Sequence, residues 1–163
     1  QALALRHPGK LKALVLANTT SGYDAAGRAA LQQRIQTVEQ EGLEAVAEGT
    51  MARFFSEAFR ASQTAAVQRH QRLLLATDPE GYTACAAALG EADMTARLGQ
   101  IRVPTLLLAG GEDTSTPPAG MQAMAAAMPH AECVTLPGCA HLSAVEQPWA
   151  FTDLVQAFID QQG

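Results

Sequence analysis

The chain has 163 residues, 48% of them apolar and 17% charged, a composition that supports a folded domain with a hydrophobic core and excludes an intrinsically disordered segment. Eleven basic residues against 16 acidic ones leave a net charge of −5, so no basic stripe is available to a nucleic-acid partner, and no apolar run approaches the roughly 20 residues that span a bilayer. The cysteines Cys85, Cys133 and Cys139 form no CxxC pair, and their odd number argues against a disulfide framework; small buried thiols in a reducing cytoplasm fit them better.

The opening stretch QALALRHPGK lacks the basic start and cleavage site of a signal peptide. Leu3 and Leu5 lie in an apolar-periodic segment ahead of the breakers Pro8 and Gly9, so the chain is expected to begin partway along a helix, with further protein ahead of Gln1. Leu14, Val15 and Leu16 then form a short apolar run ended by polar residues, which predicts a strand buried on both faces, as in parallel sheets.

After the loop NTTSGYDAAG the character changes to Ala, Leu, Gln, Glu and Arg, all good helix formers. Leu31, Ile35 and Val38 predict one helix. Leu43, Val46, Met51, Phe54, Phe55 and Phe59 predict a second, and Val67 with Leu73, Leu74 and Leu75 a third. A fourth opens at TDPEGYTACAAAL, with Asp78 as N-cap and Pro79 in the first turn; Gly81 three residues after the cap rules out a capping box. The acidic residues Glu39, Glu41, Glu44 and Glu48 read as a solvated helical face.

Pro104 leads into a second doubly buried strand, Thr105 to Ala109. Thr116 and Pro117 read as the N-cap and first-turn proline of a helix faced by Met121, Met124, Ala125 and Met128. AECVTLPG predicts a third strand with apolar residues at Cys133, Val134 and Leu136. A last helix from about Gln147 is expected to bury Trp149, Phe151, Leu154, Val155, Phe158 and Ile159. Strand–helix alternation implies right-handed crossovers, a parallel sheet and an α/β class. The division expected is core over 1–22, a helical cap over 23–95, and core again over 96–163.

Functional residues of open α/β sheets gather beyond the carboxyl ends of strands. AGGEDTSTPP places Asp113 there after the second strand, and PGCAHLS places His141 after the third. A carboxylate against an imidazole fixes its tautomer and stabilises the imidazolium, which makes the two the orienter and base of a nucleophilic triad. Glu112 is the competing acid. A zinc site of Cys133, Cys139 and His141 lacks a fourth ligand and paired spacing. Arg53 and Phe54 set a cation beside an apolar ring in the helical block, and a surface arginine covering the core with its stem is one reading of them. His7, His70 and His130 carry no assigned role.

VPTLLLAGGEDTSTPP, with its acid after a late strand, and LPGCAHLSAVEQPWAF, with its histidine before the last helix, resemble the C-terminal half of the α/β-hydrolase fold. Within that superfamily TPPAGMQAMAAAMPHAE, HLSAVEQPWAF and DPEGYTACAAAL look most like 3-oxoadipate enol-lactonases. The resemblance implies an α/β-hydrolase core with an inserted helical cap, and a cytoplasmic carboxylic-ester or lactone hydrolase of aromatic catabolism. It implies a Ser–Asp–His chain order with no cofactor and no metal, and a small-molecule ester or lactone as substrate; a lactone bearing a carboxylate wants an arginine and an apolar wall, which makes Arg53 and Phe54 candidate substrate contacts. It places the nucleophile in a turn upstream of Gln1, so the 163 residues alone are expected to be inactive. They would also need the N-terminal part of the fold, or a swapped copy, against the sheet edge. Perhydrolase, haloperoxidase-like or acyl-transfer chemistry, or a non-catalytic ligand-binding protein of the same fold, remain as alternatives.

Overall fold

The computed structural model describes residues 1–162. In chain order the elements are α1 (Ala2–Arg6), β1 (Leu14–Ala17), α2 (Ala25–Glu41), α3 (Glu44–Phe54), α4 (Glu57–Ser62), α5 (Thr64–Leu75), α6 (Pro79–Glu91), β2 (Thr105–Gly110), α7 (Pro118–Ala126), β3 (Ala131–Leu136), α8 (Ser143–Glu146) and α9 (Pro148–Asp160). Short 3-10 turns at Pro8–Lys10 and Thr95–Gln100 lead into β1 and β2.

The strands form one parallel sheet in the order β1-β2-β3, with Leu14 opposite Thr105 and Gly110 opposite Leu136. Every residue of β2 is buried, because the alternation of its side chains feeds two cores. Leu107 and Ala109 pack with Leu16, Met121, Met124 and Met128 on one face. Leu106 and Leu108 pack with Phe158, Leu154 and Val155 on the other. The result is a three-layer α/β/α stack with β2 at its centre. β1 is less buried than expected. Only Leu16 is fully covered, since β1 stands at one edge of the three-strand order.

Aspartates cap two of the helices between β1 and β2. Asp24 accepts from Gly27 N at 2.7 Å to start α2, and Asp78 accepts from Gly81 N at 2.8 Å to start α6. Gly42, at φ 82°, ends α2 in the left-handed region. Leu31, Ile35 and Val38 are the buried stripe of α2, which packs against α3 and α6.

Three expectations are corrected, and one helix that forms where expected is more exposed than its apolar residues suggest. The second predicted helix is two: Phe55 is extended, and Ser56 restarts the chain as N-cap of α4, accepting from Phe59 N at 3.2 Å. α5 buries none of its residues, and Leu73 is 58% exposed. Helix α7 starts one residue later than expected, at Pro118, so Thr116 is not its cap. Trp149 is 82% and Ile159 50% exposed. The α9 stripe facing the sheet is Phe151, Leu154, Val155 and Phe158; Trp149, two residues before Phe151, is turned about 200° from it. No helix among the described residues is long and apolar enough to cross a membrane.

Candidate functional site

Parallel pairing of β2 with β3 brings the loops at their carboxyl ends together. Gly110 is what allows it: a Cβ there would lie 2.0 Å from Ala140 O and 2.8 Å from Cys139 O, so the 138–141 loop lies directly on the β2 backbone. Gly138, at φ 68°, makes the turn. Gly111 N donates to Leu136 O at 2.7 Å and Glu112 N to Cys139 O at 2.9 Å. These bonds leave Glu112 exposed and direct Asp113 inward, where its side chain has no accessible surface.

Asp113 and His141, 28 residues apart in sequence, meet with Nδ1 of the imidazole 2.8 Å from Oδ2 of the carboxylate. Oδ1 accepts from the backbone of Ser115 at 2.8 Å and of Thr116 at 3.0 Å; Oδ2 also accepts from the Thr116 hydroxyl at 2.7 Å. Burial alone would raise the Asp113 carboxyl, but the hydrogen bonds from His141 and from the Thr116 backbone and hydroxyl, with the His141 charge, outweigh it and bring the pKa to about 2. The carboxylate is therefore ionised at neutral pH and the partner nitrogen of His141 is held as a donor. The imidazole stacks on Phe54, with ring centroids 5.3 Å apart.

Glu146 ties this loop to the helices above it. Its carboxylate accepts from Ala140 N at 2.7 Å, from Ser56 N at 3.1 Å and from the Ser56 hydroxyl at 2.5 Å. Leu142 N donates to Phe54 O at 2.9 Å. The break between α3 and α4 is thus anchored on the residues flanking His141. The Cys139 thiol donates to Leu136 O at 3.3 Å; burial, then the charge of Glu146, pushes it up to about 11.

A cavity of about 940 Å³ opens beside His141. Arg53 and Phe54 both line it, as do Arg34, Tyr23, Tyr82 and Leu31. Burial and the charge of Arg34 hold the Arg53 guanidinium below its ordinary value. Burial raises the Tyr23 hydroxyl, against the opposing pull of Arg34. Arg53 donates to the Thr50 hydroxyl at 3.0 Å, and among the described residues neither Arg34 nor Arg53 pairs with a carboxylate. Two guanidinium groups without carboxylate partners therefore share one cavity.

Sequence reasoning missed Arg34, the hydroxyl of Thr116, Glu146 and Asn18. Arg34 sits beside the apolar stripe of α2, a position that could have marked it. Asn18 directly follows β1, at the strand end where such residues gather. Glu146 carried no signal, because its partners come from a helix break the periodicity did not reveal.

A family model of the alpha/beta hydrolase fold matches residues 1–148. Over 157 residues the chain is 33% identical to 3-oxoadipate enol-lactonase 2 of Acinetobacter baylyi, covering 96% of this chain and 58% of that protein. Among solved structures, a hydrolase of Pseudomonas aeruginosa is 36% identical with a TM-score of 0.90, over 97% of this chain and 59% of that one. The enol-lactonase of Burkholderia xenovorans is 28% identical with a TM-score of 0.92, over 98% of this chain and 60% of that one. The chain thus spans 58–60% of the length of these relatives.

Proposed function

The chain belongs to the alpha/beta hydrolase fold family, and within it we propose that His141 and Asp113 are the base and orienter of a serine-nucleophile hydrolase acting on a carboxylic ester or lactone. The observation that carries this reading is the 2.8 Å contact of a buried, ionised Asp113 with an imidazole that borders a large cavity. In this reading the nucleophile is a serine from the part of the relatives' length that these residues do not span. Near the pair, the Ser143 hydroxyl is already committed to Asn18. The Ser21 hydroxyl is likewise paired with Thr95.

The serine hydroxyl gives its proton to the free nitrogen of His141 as its oxygen adds to the acyl carbon. The tetrahedral intermediate collapses, and His141 returns the proton to the departing oxygen. Water then repeats the sequence on the acyl-enzyme, releasing the acid and restoring the serine. For a lactone, ring opening and hydrolysis yield one product bearing both the new acid and the former leaving oxygen. Arg53 and Phe54 contact the substrate, and Arg34 joins them, so the acyl compounds best suited carry a carboxylate away from the reacting bond. An enol-lactone of the type named for its relatives meets that requirement.

The test is His141→Ala in the intact protein that contains these residues, assayed on ester and lactone panels. The expected outcome is a kcat loss of about 10⁴-fold or more with little change in substrate binding. Near-normal kcat overturns the reading. Faster turnover with peroxide or an alcohol than with water would assign perhydrolase or acyl-transfer chemistry instead. Ligand binding without any turnover in the wild type would assign a non-catalytic receptor.

A further inference from the structure

Asn18 follows β1 with its φ at 44°, and is the only residue other than glycine with positive φ among the described residues. Asparagine bears that conformation better than most side chains. Its N–H still donates to Leu108 O at 2.8 Å, so the backbone turns immediately at the end of the sheet. The turn delivers the side-chain amide to a junction of three segments. Nδ2 donates to Asp113 Oδ2 at 3.1 Å and to Ala140 O at 3.2 Å, and Oδ1 accepts from the Ser143 hydroxyl at 2.5 Å. Asp113 Oδ2 is the oxygen that holds His141, and Ala140 and Ser143 flank that histidine in the chain.

We propose that Asn18 is a positioning residue for the reaction, fixing Asp113 and the His141 loop relative to each other through one side-chain amide. The inference rests on His141 and Asp113 acting as base and orienter. The site needs a group that donates toward two oxygens and accepts from a hydroxyl, which an amide does and a carboxylate does not. It also needs a neutral donor. A cation there would neutralise Asp113 and weaken its hold on the imidazolium that forms during turnover. The backbone strain at Asn18 is maintained because the amide is held at all three of its partners.

The test uses the intact protein with Asn18→Asp, Asn18→Ala and Ser143→Ala. Asn18→Asp keeps the acceptor for Ser143 but removes both donated bonds and sets a second carboxylate beside Asp113. It should lower kcat about ten- to a hundredfold with KM within about twofold. The acid limb of kcat/KM should also move to higher pH, since added negative charge holds the proton on His141. Tyr23, Arg34 and Arg53 on the cavity side, and Glu112, Cys139 and Glu146 on the loops behind, are unchanged by the substitution. Asn18→Ala should lower kcat about tenfold with a much smaller displacement of the limb, and Ser143→Ala should cost about threefold or less.

Proton NMR of His141 supplies a readout independent of turnover. Its ring titration should move upward in Asn18→Asp and stay nearly in place in Ser143→Ala. If the wild type turns over no ester or lactone, the functional reading fails, while the ring titration still decides the role of Asn18. Wild-type kcat and an unmoved ring titration in Asn18→Asp overturn the proposal. If Asn18→Asp does not fold, Asn18→Gly, which relieves the positive φ, takes its place: lost kcat at normal stability supports the proposal, and wild-type kcat overturns it.

Discussion

Gly110→Ala should disable the site without touching a single polar group in it. The added Cβ would meet Ala140 O at 2.0 Å, Ala140 C at 2.8 Å and Cys139 O at 2.8 Å, all backbone atoms that no rotamer change can move. Restoring even a tight 3.0 Å contact requires the 139–140 backbone to retreat by about 1 Å, and Ala140 is joined directly to His141. A displacement of about 1 Å in a reacting group can cost about a hundredfold in rate. Overpacking of this kind costs about 1–3 kcal/mol in stability, and it pulls on the Glu112–Cys139 and Asn18–Ala140 hydrogen bonds as well. The assay is kcat on an activated ester, beside urea unfolding of the same preparation. Gly120→Ala is the control: it makes the same chemical change on α7, where a Cβ meets nothing within 4 Å, and should raise stability by about 0.5–1 kcal/mol. Gly110→Ala with wild-type kcat and stability would refute the claim that the histidine loop is seated on the β2 backbone.

Three further outcomes are expected. Asp113 is held near pKa 2 against an ordinary 3.8. Its ionisation therefore contributes about 2 kcal/mol that is fully present above pH 4 and lost as pH falls toward 2; pH-dependent urea unfolding of the wild type against Asp113→Asn should show the difference shrinking through that window, and a constant difference would count against it. Arg34→Ala and Arg53→Ala should each raise KM about tenfold or more for a carboxylate-bearing ester and about twofold or less for its neutral methyl ester; equal effects on both would remove the arginines from anion recognition. Glu146→Ala leaves the buried Ser56 and Ala140 donors without their acceptor and should destabilise by about 2–4 kcal/mol, with Glu146→Gln recovering part of that loss in thermal melts.

Much of the layout is legible in the residues themselves because it follows from local patterns. The apolar run at 105–109 could only be a strand covered on both sides. Asp78 starts its helix by bonding its own backbone. Asp113 and His141 stand where strand–helix alternation puts loops on one sheet edge. What periodicity cannot give is which face of a short apolar helix finds a partner. Trp149 and Ile159 looked like core because they are large and apolar, yet the sheet takes the opposite stripe of α9. Nor does any local rule say that a chain will break at Phe55 so that Ser56 can meet Glu146, 90 residues away.

Residue type and spacing along the chain are enough to give the α/β class, the parallel sheet and the loops that carry the acid and the histidine. Folding in three dimensions is what turns Asp113 rather than Glu112 toward His141, sets the Thr116 hydroxyl on the acid instead of on a helix start, and brings Asn18, Arg34 and Glu146 to the same place. Those depend on distances between segments that only the folded sheet and its covering helices bring within hydrogen-bonding reach.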